Sequence, residues 1–316
     1  MRLLNGTWKT YDQIRAKVDE LSASNFLMKK AIVVFAFARA QLLRDCIQSI
    51  LSADGSQNWL KVLVLQVGHA EVEEVVREFE ANFDLVLRLK AQHQTALGNI
   101  NQNRITGTSI CFDLLGSDIV LGIEEDTMIA HDALTFTDQM VERYHTKKAF
   151  RGINLGSLEP KTKENLHTYS LLRFGLQGQA GVLTRKSWLK FSTQKLLNDI
   201  SLEGWDSRIE YQLKNGFMVT PNASRFLDRG WDGTHAPSDP LHSYFEKLRS
   251  SWVGTDPITS YEFLRVDVRH SWRDDAINFK LRDSLFFILR ARHIGHVVYV
   301  LWKKFKLPKF FLRTKH

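Results

Sequence analysis

The sequence predicts an α/β protein, a mostly parallel central sheet flanked by helices, and two observations predict it. In the first half, short aliphatic runs alternate with segments whose apolar residues recur every three or four positions, the pattern of βα units joined by right-handed crossovers. The apolar run 119–123 then stops at three consecutive acids, Glu124, Glu125 and Asp126. That sets crowded carboxylates at the carboxyl end of a buried strand, the edge at which open α/β sheets bind ligands. Such carboxylates repel one another unless a cation or an electropositive ligand neutralises them, and a hard divalent ion is the usual solution. A solvated acidic loop is the alternative.

The elements follow in order. Residues 10–28 form an amphipathic leader with Ile14, Val18 and Leu21 on one helical face. The first strand, 31–36, leads to a helix whose inward face is Leu42, Leu43, Cys46, Ile47, Ile50 and Leu51. A turn at 54–56 precedes a second strand, 62–67, and a helix with Val72, Val75, Val76, Phe79 and Phe83 facing inward. A short strand at 85–87 and a polar stretch, 92–104, run into a helix ending at Leu115 and Gly116, after which the acid-tipped strand begins. Beyond it, 149–153, 181–183 and 217–220 read as strands, and 177–181 as a loop whose glycines let a backbone approach something closely. Residues 205–213 have helical periodicity, and the loop 232–235 contains His235.

No linker divides the halves, so the sequence reads as a leader (1–29), one domain (30–274) and a tail (275–316). The formal net charge is +8, and its placement decides what it means. From Lys280 onward ten Lys and Arg face a single acid, Asp283, interleaved with aromatic and aliphatic residues in runs too short to cross a bilayer. The tail is therefore expected to lie on an anionic membrane surface, or else to pack on the domain. Nucleic acid is not an expected partner, because the basic excess is confined to this tail and no nucleic-acid module accompanies it. A Gly-x-Gly-x-x-Gly after the first strand and a Walker sequence are both missing, which argues against dinucleotide and P-loop folds. Cys46 and Cys111 sit in apolar helical patterns and suit buried free thiols. With no apolar core of signal-peptide length near the start, the expected location is cytoplasmic, peripheral on the inner face of a membrane.

With the acid-tipped strand, Trp205-Asp206 and Gly233-Thr234-His235 in order, the chain resembles nucleotide-sugar glycosyltransferases of the GT-A fold. It is most similar to the N-acetylglucosaminyltransferase I family, which includes the protein O-mannose N-acetylglucosaminyltransferases. The resemblance covers roughly residues 31–235. It implies that Arg39 contacts the nucleotide, that Asp126 is the direct ligand of Mn2+ (or Mg2+), that Glu124 meets the donor sugar, and that Glu125 meets the ribose or the metal shell. It further implies that Gly178 and Gln179 line the sugar pocket, that Trp205 packs on the sugar, that Asp206 is the catalytic base, and that Arg225 and His235 belong to a loop closing over the diphosphate. There are departures. Ala38 replaces the Asp before the family's Arg, Glu125 replaces an Asp, and Val67 stands where the family has an Asp that holds uridine.

The chemistry suits those residues. A departing diphosphate needs neutralisation, and the attacking hydroxyl needs a carboxylate to take its proton; a single base opposite the diphosphate gives inversion. Asp206 could equally be a helix N-cap. The sequence thus points to an inverting, metal-dependent transferase with a nucleotide-sugar donor, UDP-GlcNAc as first choice, and a glycan or lipid-linked surface-polysaccharide acceptor. The alternatives are a GT-A enzyme using another nucleotide sugar, which Val67 motivates, and a non-catalytic nucleotide-sugar-binding or scaffold protein.

Overall fold

A computed structural model describes residues 16, 19–20, 28–157, 161–163, 166–172, 180–190, 216–230 and 249–254. Most of the expected leader, the whole of the tail, and Gly178, Gln179, Trp205, Asp206 and His235 lie outside the described residues.

The first three strands, β1 (Lys30–Ala36), β2 (Leu60–Gln66) and β3 (Leu85–Leu89), pair in parallel with one another, and β4 (Ile119–Glu124) pairs in parallel with β1. The other long strands are β6 (Phe150–Asn154), β7 (Tyr169–Leu172), β8 (Ala180–Thr184) and β9 (Phe217–Pro221). The eight form one sheet in the order β3-β2-β1-β4-β8-β6-β9-β7. The sheet is parallel from β3 to β4, whereas β8 runs antiparallel between β4 and β6, and β7 runs antiparallel at the edge. A separate two-stranded ribbon pairs β5 (Thr127–Ile129) with β10 (Phe226–Asp228).

Alternation along β1 feeds two cores, because successive side chains leave a strand on opposite faces. Ile32 and Val34 enter one face, with Leu43 and Ile47 of α1 (Ala40–Ser52), Val72 and Val76 of α2 (Ala70–Phe79), and Phe136 and Met140 of α4 (Ala133–Tyr144). Ala31, Val33 and Phe35 enter the other, where Ile105 of α3 (Ala96–Ser109) packs with Phe112 and with Trp188 of α5 (Arg185–Trp188). A strand buried on both faces has to read as a continuous apolar run, which is why β1, β2 and β4 stand out in the sequence. Cys46 and Cys111 are buried and free.

The polar stretch before the expected third helix is itself helical: α3 begins at Ala96 under a Thr95 N-cap, whose hydroxyl accepts the Gly98 amide at 3.1 Å. Its polar residues are buried because their amides are matched. Asn99 Oδ1 accepts the amides of Gln92 and His93, both at 2.8 Å, and Asn103 Nδ2 donates to Gln66 Oε1 at 3.2 Å. Satisfied hydrogen bonds thus replace the apolar stripe by which a helix is usually recognised.

Two glycines set how closely the elements approach. A Cβ on Gly107 of α3 would lie 2.7 Å from Val64 Cγ2 and 3.0 Å from both the Phe35 ring and Val33 Cγ2, all of them side-chain atoms. A Cβ on Gly152 of β6 would lie 2.0 Å from the carbonyl oxygen of Val182, which is fixed backbone. Gly152→Ala is therefore expected to destabilise by about 3 kcal/mol through overpacking. Gly107→Ala should cost only about 1 kcal/mol, since the roughly 1 kcal/mol the helix gains from Ala over Gly offsets part of an overpacking cost of about 2 kcal/mol. Urea unfolding of the two variants checks the order, and equal losses would contradict it.

Candidate active site

The site is built where β1 and β4 end side by side, Phe35 opposite Glu124 in the register. The next residue, Glu125, is 3% exposed and turns back beneath the β1–α1 turn. Its amide donates to the Phe35 carbonyl at 3.1 Å, while its carboxylate accepts the amides of Phe37 at 2.6 Å and Ala38 at 3.1 Å. Arg39 Nε adds a fourth contact at 3.4 Å. These hydrogen bonds fix the turn that presents Arg39. In this structure Glu125 is thus a clamp between the two strand ends.

Glu124 takes the opposite course, staying one-third exposed and ion-paired with Arg104 of α3. Arg104 is 1% exposed and lies over the Phe35 ring at 4.6 Å, so a cation reaches the acidic edge from within the second core. Arg104 packs directly over Gly122, where a Cβ would meet its Nη1 at 3.4 Å.

Asp126 is buried and only partly paired. Its Oδ2 pairs with Arg39 Nη2 at 2.6 Å, and its Oδ1 is buried without a hydrogen-bond partner. Burial first, then the charges of Glu124 and Asp228, push its carboxyl up to about 7. Asp228 comes from β10, opposite Thr127 of β5 in the ribbon. Its own carboxyl is pushed up to about 6, again mainly by burial, although it accepts the Gly230 amide at 2.7 Å. The ribbon is tied down by the Arg229 amide, which donates to the Asp126 carbonyl at 2.8 Å. Gly230 then passes so close that a Cβ there would lie 2.0 Å from Asp126 Oδ2 and 2.9 Å from Arg39 Nη1. Only glycine fits over that ion pair.

The structure therefore brings Arg39, Glu124, Glu125 and Asp126 together, and places Arg225 elsewhere. Arg225 is buried in the segment before β10, with Nε bonded to Asp132 at 3.2 Å, Nη1 to the Ala223 carbonyl at 2.8 Å and Nη2 to the Leu166 carbonyl at 2.7 Å. It also lies over Phe136 at 4.9 Å. With all three nitrogens bonded inside the protein, it braces the ribbon's approach in this structure and has no donor pointed at the carboxylates. Arg104, Asp228 and Gly230 were not singled out from the sequence. Arg104 is the last residue of the polar stretch 92–104, which has no apolar stripe to mark it as helix. Asp228 gains its meaning only from a three-residue strand, with no periodicity to announce it.

Among the described residues no group of three or more His, Cys, Asp or Glu side chains is arranged to hold a metal ion. The unpartnered, buried oxygen of Asp126 nonetheless fits a hard cation that takes one or two protein carboxylates and completes its shell from a bound ligand, as magnesium commonly does with substrate phosphates.

No family model matches the sequence, and no curated protein matches it. Among solved structures the chain is similar to S. aureus TarS, at 12% identity and a TM-score of 0.44, covering 83% of this chain and 44% of that one. The chain thus spans less than half of that protein. It is also similar to TarS 1–349 in complex with UDP-GlcNAc, at 11% identity and a TM-score of 0.40, covering 87% of this chain and 90% of that one. A third is the mannosyltransferase PcManGT from Pyrobaculum calidifontis in complex with GDP-Man and Mn2+, at 9% identity and a TM-score of 0.40, covering 94% of this chain and 95% of that one. Likenesses this distant leave the reading of the chain to its own residues.

The raised carboxyls give a pH prediction. A group whose folded pKa lies above its unfolded value stabilises below the unfolded value and loses that contribution as pH rises through the folded one. For Asp126 at about 7 and Asp228 at about 6, the loss runs from near pH 4 to pH 7. Asp126→Asn is therefore expected to raise the Tm at pH 7 relative to wild type and to leave it nearly unchanged at pH 4. Calorimetric scans at the two pH values check this, and a variant less stable at pH 7 would contradict it.

Proposed function

We propose that the protein is a metal-dependent GT-A glycosyltransferase that takes a nucleotide-sugar donor. The observation that carries this reading is the buried Asp126 with one unpartnered oxygen, beside Arg39, at the adjacent carboxyl ends of β1 and β4. A diphosphate needs positive charge around it, and a bound divalent cation would supply that charge. Asp126 would hold the cation, and Asp228, brought toward it by the ribbon, would be a second carboxylate for it. Arg39, one-third exposed with one nitrogen unbonded, is free to trade its contact with Asp126 for a phosphate oxygen. Glu124, held by Arg104 at the rim, is the carboxylate positioned for a sugar hydroxyl.

In this reading Asp206 is the base that takes the proton of the acceptor hydroxyl, with inversion at the sugar carbon; Trp205, Gly178 and Gln179 form the sugar pocket, and His235 closes over the diphosphate. The resemblance supports these roles. UDP-GlcNAc is the donor we propose first and Mn2+ (or Mg2+) the cation. A glycan or a lipid-linked surface-polysaccharide intermediate is the acceptor, met at the inner face of a membrane to which the tail attaches.

A different base on the donor is the second reading, and one observation favours it. Where β2 ends, Val67 offers only an apolar side chain, while Gln66 and Asn103 next to it are paired amides.

Asp206→Asn is expected to lower turnover of the donor by at least about a hundredfold, the usual contribution of a positioned base, with donor affinity changed little. Sugar-transfer assays alongside donor titrations check both halves. Full turnover in the variant would remove Asp206 from the role, and a wild type that binds donor without turning it over would favour the scaffold reading.

A further inference from the structure

The pole of the sheet opposite the acids carries a second charged surface. β8 runs antiparallel to β4 with Thr184 opposite Ile119, so α5 sits at the amino end of β4. β6 runs antiparallel to β8, so the turn entering β6 comes to the same pole. Lys186 and Lys190 are exposed here from the first segment, and Lys147 and Lys148 from the second. They are drawn together by backbone contacts: Lys186 Nζ donates to the Lys147 carbonyl at 3.3 Å, and Arg151 Nη1 to the Lys148 carbonyl at 2.7 Å.

Among the described residues no acid forms an ion pair with any of these four lysines. Two acids near α5 are engaged inward, Asp113 by Trp188 Nε1 at 3.0 Å and Asp118 by the Lys29 amide at 3.0 Å. The amine of Lys190 titrates below its usual range, through partial burial and then through Arg151, Lys186 and Lys148, as expected of cations with no anion among them. Between Lys186 and Lys190 stands Leu189, 71% exposed, the large apolar side chain most exposed among the described residues.

We propose that Lys147, Lys148, Lys186, Leu189 and Lys190 form a docking surface for an anionic lipid bilayer. Unbalanced lysines match a field of phosphate headgroups, and a leucine projecting among them adds apolar contact just below the headgroup level. A nucleic acid would use the cations and leave Leu189 without a partner, which is why a bilayer is the better fit. The surface belongs to the folded domain and does not depend on the basic tail. It also sets an orientation. The six residues of β4 separate this pole from Glu124 by roughly 20 Å at about 3.3 Å per residue, so the acids face away from the membrane. If the protein is the transferase proposed above, the acceptor hydroxyl must then stand clear of the headgroups, as the outer end of a growing glycan chain does.

The test is co-sedimentation of the full chain with vesicles of phosphatidylglycerol and phosphatidylcholine, and with vesicles of phosphatidylcholine alone. Wild type is expected to prefer the anionic vesicles. Lys186→Gln with Lys190→Gln should weaken that binding by about 25-fold, from roughly fivefold per lysine. Lys186→Arg with Lys190→Arg should retain it. Leu189→Ser should weaken binding at low and high salt alike, whereas the lysine contribution fades with salt. All the substituted side chains are exposed, so unchanged melting temperatures are expected to accompany the losses. Equal binding by wild type and the Gln variant would overturn the proposal, as would wild-type retention on RNA that Lys186→Gln and Lys190→Gln abolish while vesicle binding is absent. None of these outcomes depends on sugar transfer, so the surface stands or falls apart from the enzymatic reading.

Discussion

Three successive carboxylates share one strand end, and the arrangement around them depends on how each is kept from destabilising the fold. Burying a carboxylate without partners costs several kcal/mol, so the fold must answer each charge separately. Glu125 is answered by backbone amides of the β1–α1 turn, Glu124 by Arg104 rising through the second core, and Asp126 only in part, by Arg39. That incomplete answer distinguishes Asp126 from its neighbours. Its remaining buried oxygen is a defect in a protein that does nothing there and an asset in one that binds a cation.

The surroundings are arranged to preserve this imbalance. The β5–β10 ribbon brings Asp228 toward Asp126 and passes Gly230 over the ion pair with no side chain to block it. Helix α3 brings Arg104 to Glu124, and Gly107 lets that helix lie close on β1 and β2. Arg225 and Asp132 form a buried pair that holds the chain entering β10, so a charge pair remote from the acids fixes where Asp228 arrives. Sheet, helix and ribbon each contribute one restraint.

Much of this was legible in the sequence, and the exceptions have physical causes. β1, β2, β4 and the inward faces of α1 and α2 were readable because burial on a sheet face or a helix stripe imposes a period on the residues. The acid tip was readable because three charges directly after a buried run have few structural excuses. Strand direction leaves no such mark, so the antiparallel course of β8 could not be read, and β7, four residues at the sheet edge, is too short to show a pattern at all. The ribbon strands are three residues each, too short for a period. α3 was displaced in the reading because its buried face is made of matched amides, and Arg104 was hidden with it. The clamp role of Glu125 comes from hydrogen bonds to a turn 87 and 88 positions earlier in the chain, which nothing local could announce.

The account turns on whether the free oxygen of Asp126 is there to bind a cation together with a nucleotide sugar. The most direct measurement is calorimetric titration of wild type and Asp126→Ala with a panel of nucleotide sugars, UDP-GlcNAc first, with and without Mn2+. The account predicts binding of one donor that requires Mn2+ in the wild type and is abolished in the variant. Binding unaffected by Mn2+ and by the loss of Asp126, or no binding of any donor, would contradict it.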